Sequence, residues 1–206
     1  MGQHRTQPLR LVVLLSGNGS NLQAIIDSIE NQHLPAQVVA VISNKADAYG
    51  LQRARQAGIP GEVLAHTDFA DRKLYDQALK QRIDHYQPDL VVLAGFMRIL
   101  SDEFVEHYAG RMMNIHPSLL PEYKGLNTHQ RVLDAGEKEH GCSVHFVTPA
   151  LDDGPVILQA KVKVKENDTA ETLAERVHKE EHRIYPEAIR LFAENKISLN
   201  STEANP

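Results

Sequence analysis

Short apolar segments alternate with amphipathic segments along most of the chain. Four apolar segments of strand length lack polar alternation and are rich in Val, Ile and Leu, which predicts buried strands at 9–15, 37–42, 90–94 and 111–115. Segments 21–30 and 71–86 carry apolar residues at helical spacing, which predicts amphipathic helices. This strand–helix–strand order predicts an α/β fold with a mostly parallel twisted sheet and helices on both faces.

The pattern changes after Pro117. It predicts a short helix near 128–135, strands at 140–147 and 156–164, and a long amphipathic helix at 169–194. Asp152-Asp153-Gly154-Pro155 is a strong turn signal between the two strands. Pro186 is expected to bend or interrupt the last helix, because proline removes a helical hydrogen bond.

The length favours one domain. A chain of 206 residues with 42% hydrophobic content can bury one substantial core, whereas two half-sized domains would each be marginal. We therefore predict a single domain over 1–206, with a flexible leader at 1–8 and a flexible tail at 198–206. The leader loosely matches a myristoylation pattern at Gly2, but an unstructured leader is the favoured interpretation.

The charge and the cysteine content exclude several classes of function. A net charge of -5 gives no electrostatic footprint for duplex nucleic acid and no polybasic patch for a membrane surface. The longest apolar run, 11–15, is too short to span a bilayer. The single cysteine cannot form an internal disulfide, and no signal sequence opens the chain. We expect a cytoplasmic protein that acts on small molecules, as a monomer or a homodimer.

A glycine-containing loop, Ser-Gly-Asn-Gly-Ser-Asn at 16–21, connects the first strand to the first helix. Backbone N–H groups at a helix N-terminus bind anions. Leu22 stands where the dinucleotide fingerprint has its third glycine, and no Gly-Lys-Ser/Thr follows as in a nucleotide P-loop. The loop therefore suits a phosphate monoester. The alternative is a tight turn in which Ser20 or Asn21 caps the helix.

Asn114 and His116 end a predicted strand. Residues two apart on a strand project from one face, and open parallel sheets bind ligands at the carboxyl edge. An Asn there can donate to an oxyanion and a His can exchange protons, although a structural, hydrogen-bonded His is the alternative. Asp152 and Asp153 are candidates to orient His116, but their spacing does not establish contact.

Other polar clusters favour structural roles. His178, Glu181 and His182 match the H-x-x-E-H arrangement of a metallopeptidase class, but no third ligand is recognisable. His140 and His145 are expected on opposite faces of their strand. Cys142 is expected to be a small packed residue. We predict no metal.

Four motifs follow one another in order. They are LSGNGSNLQA at 15–24, AGFMRIL at 94–100, NIHPSLLP at 114–121, and GCSVHFV at 141–147 followed by LDDGPVI at 151–157. Together they closely resemble the phosphoribosylglycinamide formyltransferase family, from about residue 10 to 196. The resemblance implies a Rossmann-like formyltransferase fold. It also implies transfer of a formyl group from 10-formyltetrahydrofolate, as co-substrate, to the amine of glycinamide ribonucleotide in purine synthesis.

The resemblance also implies site residues. Asn114 would hydrogen-bond the tetrahedral oxyanion, His116 would act as acid or proton shuttle, and Asp152 would orient His116 and favour its protonated form. The amine would attack the formyl carbon directly, with no covalent enzyme intermediate and no metal. The family's ribonucleotide phosphate and ribose contacts fall on Gly19, Ser20, Asn21 and Glu181. Its folate contacts fall on Arg72, Met97, Arg98, Ile99 and Leu100, with loop 148–152 closing over the pterin.

Two positions depart from the family pattern. Asp153 stands where a small residue, often Gly, is usual, and is a candidate to perturb Asp152 or its loop. Asn127 stands where His is common, so we assign it no catalytic role.

Four other functions compete with this one. A 10-formyltetrahydrofolate hydrolase looks similar around Asn114, His116 and Asp152 but passes the formyl group to water, and loop 17–21 favours the transferase because it predicts phosphate binding. Methionyl-tRNA formyltransferase shares Ser-Leu-Leu-Pro but is expected to carry a further domain. A non-catalytic module that binds a phosphorylated metabolite is the alternative from another class, and a zinc peptidase is the remote one.

Overall fold

The structure is a computed structural model that describes residues 7–202. Gly2 and residues 203–206 of the predicted tail lie outside this range. The strands are β1 (Leu9–Leu15), β2 (Ala36–Ser43), β3 (Gly61–Val63), β4 (Leu90–Leu93), β5 (Met112–His116), β6 (Glu139–Phe146) and β7 (Val156–Lys163). The helices are α1 (Ser20–Glu30), α2 (Tyr49–Gln56), α3 (Arg72–His85), α4 (Asp102–His107), α5 (Thr128–Asp134), α6 (Ala170–Ala193) and α7 (Leu199–Thr202), with a 3₁₀ turn at His66–Asp68.

Over residues 7–202 the strands form one seven-stranded sheet in the order β3-β2-β1-β4-β5-β6-β7. The first five strands in this order are parallel to one another. β6 runs antiparallel to β5, and β7 antiparallel to β6. The sheet is therefore mostly parallel, as the sequence predicts, with an antiparallel hairpin at one side.

Alternate residues of β1 face two separate cores. Leu11 and Val13 are buried in a cluster with α1 and α6 residues, whereas Val12 and Leu14 are buried in a cluster with α3 and α4 residues. Both faces of the sheet are thus covered by helices, which explains why β1 is a continuous apolar run. The predicted arrangement of helices on both faces is confirmed.

Every strand and helix predicted from the sequence is present, with each end within one residue of its predicted position. The prediction missed β3, α2, α4, α7 and the 3₁₀ turn. α2 buries Gly50 and Ala54, which are too small to produce a recognisable apolar stripe. β3 has only three residues and lies at the sheet edge.

The C-terminal part differs from the sequence prediction at two places, because Pro186 does not interrupt its helix and part of the tail is helical. α6 runs without interruption through Pro186, which is buried within it. Proline costs the helix one hydrogen bond, but the apolar stripe of a 24-residue helix packed on the sheet maintains it. The predicted flexible tail is helical over Leu199–Thr202, and Leu199 packs against the α1/α6 core.

None of the helices within residues 7–202 combines the length and apolar character needed to cross a membrane.

Tyr185 fastens α6 to the centre of the sheet. Its buried hydroxyl lies 2.7 Å from the Leu93 carbonyl oxygen and 3.1 Å from that of Met113, on β4 and β5. We expect Tyr185→Phe to lower the free energy of unfolding by about 1–2 kcal/mol, because the carbonyls lose a buried donor. Urea unfolding measures this effect. Tyr49→Phe, at an exposed tyrosine, is the control, and equal losses in the two variants would contradict the assignment.

Candidate active site

Three loops meet where the parallel strands β1, β2 and β4 end. The Ser16 backbone N–H donates to the Gly95 carbonyl at 3.0 Å, and the Met97 N–H donates to the Ser16 hydroxyl at 2.8 Å. The Ser16 hydroxyl in turn donates to Oδ1 of Asn44, which follows β2. This buried network fixes the loop after β1 beside the loop after β4 at the carboxyl edge, where open α/β sheets bind ligands.

The loop after β1 is packed tightly against α2. Gly19 has φ +75°, and a Cβ at this position would lie 2.6 Å from Gly50 Cα. Only glycine fits both the left-handed conformation and the close approach. Gly19 is also the residue at the N-terminal boundary of α1, and it makes no side-chain cap. The alternative in which Ser20 or Asn21 caps the helix is therefore wrong. α1 begins at Ser20, in the loop that leaves the carboxyl end of β1.

The side chains of Ser20 and Asn21 face α6. Ser20 Oγ lies 3.0 Å from His182 Nε2, and Asn21 Nδ2 donates to Glu181 Oε2 at 3.1 Å. Glu181 is only 5% exposed. Its burial raises the pKa of the carboxyl group, and the Asn21 hydrogen bond and His178 partly oppose this shift. The structure thus brings together the predicted phosphate and ribose residues.

A cleft of about 470 Å³ opens beside this loop. Its lining includes Ser20, Gln23, Arg53 and His182. Arg53 donates to both the backbone and the side-chain oxygen of Asn18 at 2.9 Å, which places a fixed cation at the loop. Sequence reasoning missed Arg53 because it missed α2, and it treated His182 as part of a peptidase-like pattern.

Asn114 and His116 lie on the same face of β5, as predicted. His116 is 6% exposed, with Nε2 2.9 Å from the Tyr123 carbonyl oxygen and Nδ1 3.5 Å from Asp152 Oδ2. Both ring nitrogens therefore face oxygen acceptors. An imidazolium, with a proton on each nitrogen, satisfies both acceptors, whereas a neutral ring satisfies only one.

Asp152 reaches His116 from the loop between β6 and β7. Its backbone has φ +48°, and its Oδ2 accepts a hydrogen bond from the Gly125 N–H at 2.9 Å. The loop that carries Gly125 thus holds the carboxylate against His116. Asp153 pairs instead with Lys124, with its side chain 54% exposed. The departure from the family pattern therefore places Asp153 outward, and Asp152 still faces His116.

Sequence reasoning did not assign His145 to the site. It is 2% exposed, and its Nε2 lies 3.2 Å from Asn114 Nδ2 and 4.0 Å from Asp152 Oδ1. The antiparallel register sets Asn114 opposite His145, and His116 opposite Ser143. Knowledge of this register would have identified His145, because opposite residues in a strand pair share a face.

His140 lies apart from His145, as predicted for opposite faces of β6. His140 Nε2 is 3.0 Å from His129 Nδ1, and His129 also faces His178 of α6. The His178 and His182 rings stack with their centroids 6.5 Å apart.

Within residues 7–202, no group of three or more His, Cys, Asp or Glu side chains is arranged to hold a metal ion. Cys142 is buried, and its burial raises the pKa of the thiol to about 12.

The predicted folate residues occupy the loop after β4 and the start of α3. Met97 and Ile99 are more than half exposed, and Leu100 is buried. The Arg98 guanidinium lies over the Tyr75 ring, 5.0 Å from its centroid. Arg72 is exposed in the first turn of α3, one turn before Tyr75.

Exposed apolar side chains also occur on the loops after β5 and β6. Leu126 and Leu151 are 68% and 56% exposed and flank the residues that hold Asp152. Met97, Ile99, Leu126 and Leu151 are thus exposed apolar side chains on the loops that follow β4, β5 and β6, and we call these four residues the apolar rim. Exposed apolar side chains of this kind suit contact with a flat ring system.

The chain is similar to known proteins over most of its length. A family model described as formyl transferase matches residues 9–189. The chain is 56% identical over 196 residues to phosphoribosylglycinamide formyltransferase of Escherichia coli (strain K12), covering 95% of this chain and 92% of the relative. It is 48% identical over 190 residues to the trifunctional purine biosynthetic protein adenosine-3 of Homo sapiens, covering 92% of this chain and 19% of that protein.

Solved structures show the same likeness. Phosphoribosylglycinamide formyltransferase from Coxiella burnetii has a TM-score of 0.89 at 57% identity, covering 93% of this chain and 90% of that one. Glycinamide ribonucleotide transformylase 1 from Symbiobacterium toebii has a TM-score of 0.90 at 49% identity, with the same coverage of both chains. The predicted Rossmann-like fold and the resemblance of the motifs are confirmed.

The histidine pair predicts a pH dependence of stability. Burial lowers the pKa of both His129 and His140 from 6.5 to about 4. The charges of His178 and His116 add to the shift of His129, and those of His129 and His116 add to the shift of His140. Between these values the unfolded chain binds protons that the folded chain does not. The free energy of unfolding should therefore fall as the pH is lowered from 6.5 to 4.

Urea unfolding at several pH values checks this dependence. His140→Gln should reduce the slope between pH 5 and 6.5, within the window that the two pKa values define. His33→Gln, at an exposed histidine, should leave the slope unchanged. Equal slopes for His140→Gln and the unmodified protein would refute the assignment.

Proposed function

The chain belongs to the formyl transferase family, and we propose that it is a phosphoribosylglycinamide formyltransferase of purine biosynthesis. It transfers the formyl group of 10-formyltetrahydrofolate to the amine of glycinamide ribonucleotide. One observation carries this proposal. A glycine loop suited to a phosphate and the Asn114, His116 and Asp152 cluster open at the same edge of one sheet.

Recognition of the ribonucleotide falls to the loop after β1 and to α6. The phosphate lies against Gly19, Ser20 and Asn21, where the N-terminus of α1 offers N–H donors and a positive dipole end. Arg53 adds positive charge beside this loop. Glu181, which already accepts a hydrogen bond from Asn21, has a second oxygen for the ribose hydroxyls.

The folate occupies the apolar rim. Its rings lie against the loop after β4 and the loop before Asp152, and Arg72 and Arg98 offer cations for its carboxylates. The folate contacts are Arg72, Met97, Arg98, Ile99 and Leu100.

Three side chains, Asn114, His116 and Asp152, carry out the formyl transfer. The substrate amine attacks the formyl carbon, and the carbonyl oxygen gains negative charge as a tetrahedral intermediate forms. An Asn114 N–H stabilises this oxyanion. The amine loses a proton and the folate nitrogen gains one when its bond to the formyl carbon breaks, and His116 carries this proton with Asp152 as its partner. No covalent enzyme intermediate and no metal take part.

The proposal extends to the organisation of the chain. We take 1–206 as one formyltransferase domain, which the single sheet over residues 7–202 supports. A cytoplasmic location stays a prediction, as does the choice between monomer and homodimer.

Deformylation of 10-formyltetrahydrofolate with and without glycinamide ribonucleotide tests the proposal. Turnover should require the ribonucleotide and yield its formylated product. Turnover without the ribonucleotide would identify a hydrolase instead. Binding of both ligands without turnover would identify a non-catalytic module.

Removal of the Asn114 amide should reduce transfer strongly. Because an oxyanion-hole donor is lost, we expect Asn114→Ala to lower kcat by about 100- to 1,000-fold. Steady-state kinetics with both substrates measure this change. Asn31→Ala, at an exposed residue that ends α1, is the matched control and should keep the unmodified rate. A kcat for Asn114→Ala within a few-fold of the control would exclude the oxyanion role.

A further inference from the structure

His145 is a buried histidine beside the catalytic cluster that the proposed chemistry does not use. It belongs to β6, is 2% exposed and contacts three groups. Its Nδ1 faces the Phe146 carbonyl, and its Nε2 faces Asn114 and, at 4.0 Å, Asp152. These contacts determine the tautomer of the ring and the side chain that the ring can orient.

The tautomer of His145 follows from its partners. Nδ1 lies 2.9 Å from the Phe146 carbonyl oxygen, which can only accept, so Nδ1 carries a proton. Burial lowers the pKa of His145, and the Phe146 bond and Asp152 oppose this shift only in part. The ring is therefore neutral near pH 7, and Nε2 presents a lone pair.

That lone pair determines the orientation of the Asn114 amide. Nδ2 of Asn114 lies 3.2 Å from His145 Nε2 and donates one of its two hydrogens to it. The reversed amide would set Oδ1 against the lone pair, which is repulsive. The second Nδ2 hydrogen remains for a ligand in the cleft.

We propose that His145 is a positioning residue that holds the Asn114 amide as a donor toward the transferred formyl group. This inference rests on the proposed function, because an oxyanion needs a donor and is repelled by an amide oxygen. His145 acts only through Asn114 and does not touch substrate.

The backbone around Gly154 links the contact between His145 and Asn114 to the loop that carries Asp152. A Cβ at Gly154 would lie 1.7 Å from the Phe146 carbonyl oxygen and 3.4 Å from His145 Nδ1. Glycine is therefore required for the Asp152 loop to pass over the acceptor that sets the His145 tautomer. The Phe146 N–H donates to the Pro155 carbonyl at 3.0 Å, which holds the loop there.

Two substitutions of His145 distinguish the acceptor role of Nε2 from the other contacts of the ring. His145→Gln can place an amide oxygen near the position of Nε2, whereas His145→Asn reaches only the position of Nδ1. We expect His145→Asn to lower kcat by about 10- to 100-fold, with KM for glycinamide ribonucleotide unchanged. His145→Gln should recover most of this loss. Thermal unfolding of both variants identifies any loss of the fold.

A double-mutant cycle tests whether His145 acts through Asn114. In the Asn114→Ala background, His145→Asn should change kcat by less than about threefold, because the amide that it orients is gone. Effects that multiply, or equal losses in His145→Gln and His145→Asn, would overturn the proposal.

Nitrogen-15 NMR of the unmodified protein gives a readout that does not depend on turnover. We expect the spectrum of His145 to show a protonated Nδ1 and an unprotonated Nε2, and Asn114→Ala to shift the Nε2 resonance. A proton on Nε2 at neutral pH would overturn the proposal even in an active transferase. If the unmodified protein does not transfer formyl groups, the proposed function fails, and the NMR result still decides whether His145 orients Asn114.

Discussion

The parallel alignment of β1, β4 and β5 is the constraint on which the site depends. Because these neighbouring strands run in one direction, their carboxyl ends deliver three loops to one edge of the sheet. The buried Ser16 hydroxyl then holds the loop after β1 to the loop after β4, by accepting from the Met97 N–H, and to Asn44 after β2, to which it donates. The same alignment explains why the central strands are apolar on both faces, since helices must cover both.

The antiparallel hairpin and α6 supply the remaining residues of the site. β6 sets His145 opposite Asn114, and the turn after it returns Asp152 to His116, a residue 36 positions earlier in the chain. α6 brings Glu181 and His182 to the loop after β1 and is fastened to β4 and β5 by Tyr185. Apolar residues of β5, β6 and α6 lie in a core, and these elements thereby hold Asn114, His145 and Glu181 in place. Asp152 is held instead through its loop, by the Gly125 N–H.

The sequence predicts most of the fold because the buried elements are strongly apolar and regular. β1 is found at its predicted bounds, and the long helices lie within one residue of theirs. α2 was missed because it buries Gly50 and Ala54, and Arg53 was missed with it. Asn114 and His116 could be placed from strand geometry alone. The contact of Asp152 with His116 and the place of His145 depend on strand pairing, which local pattern does not reveal.

A crystal structure with glycinamide ribonucleotide bound tests the central claim most directly, namely that one edge of the sheet positions both the phosphate and the reacting amine. The account predicts phosphate oxygens about 3 Å from the backbone nitrogens at Gly19, Ser20 and Asn21. It also predicts that the amine points toward Asn114 and His116. A phosphate bound on another surface, or an amine directed away from Asn114, would contradict it.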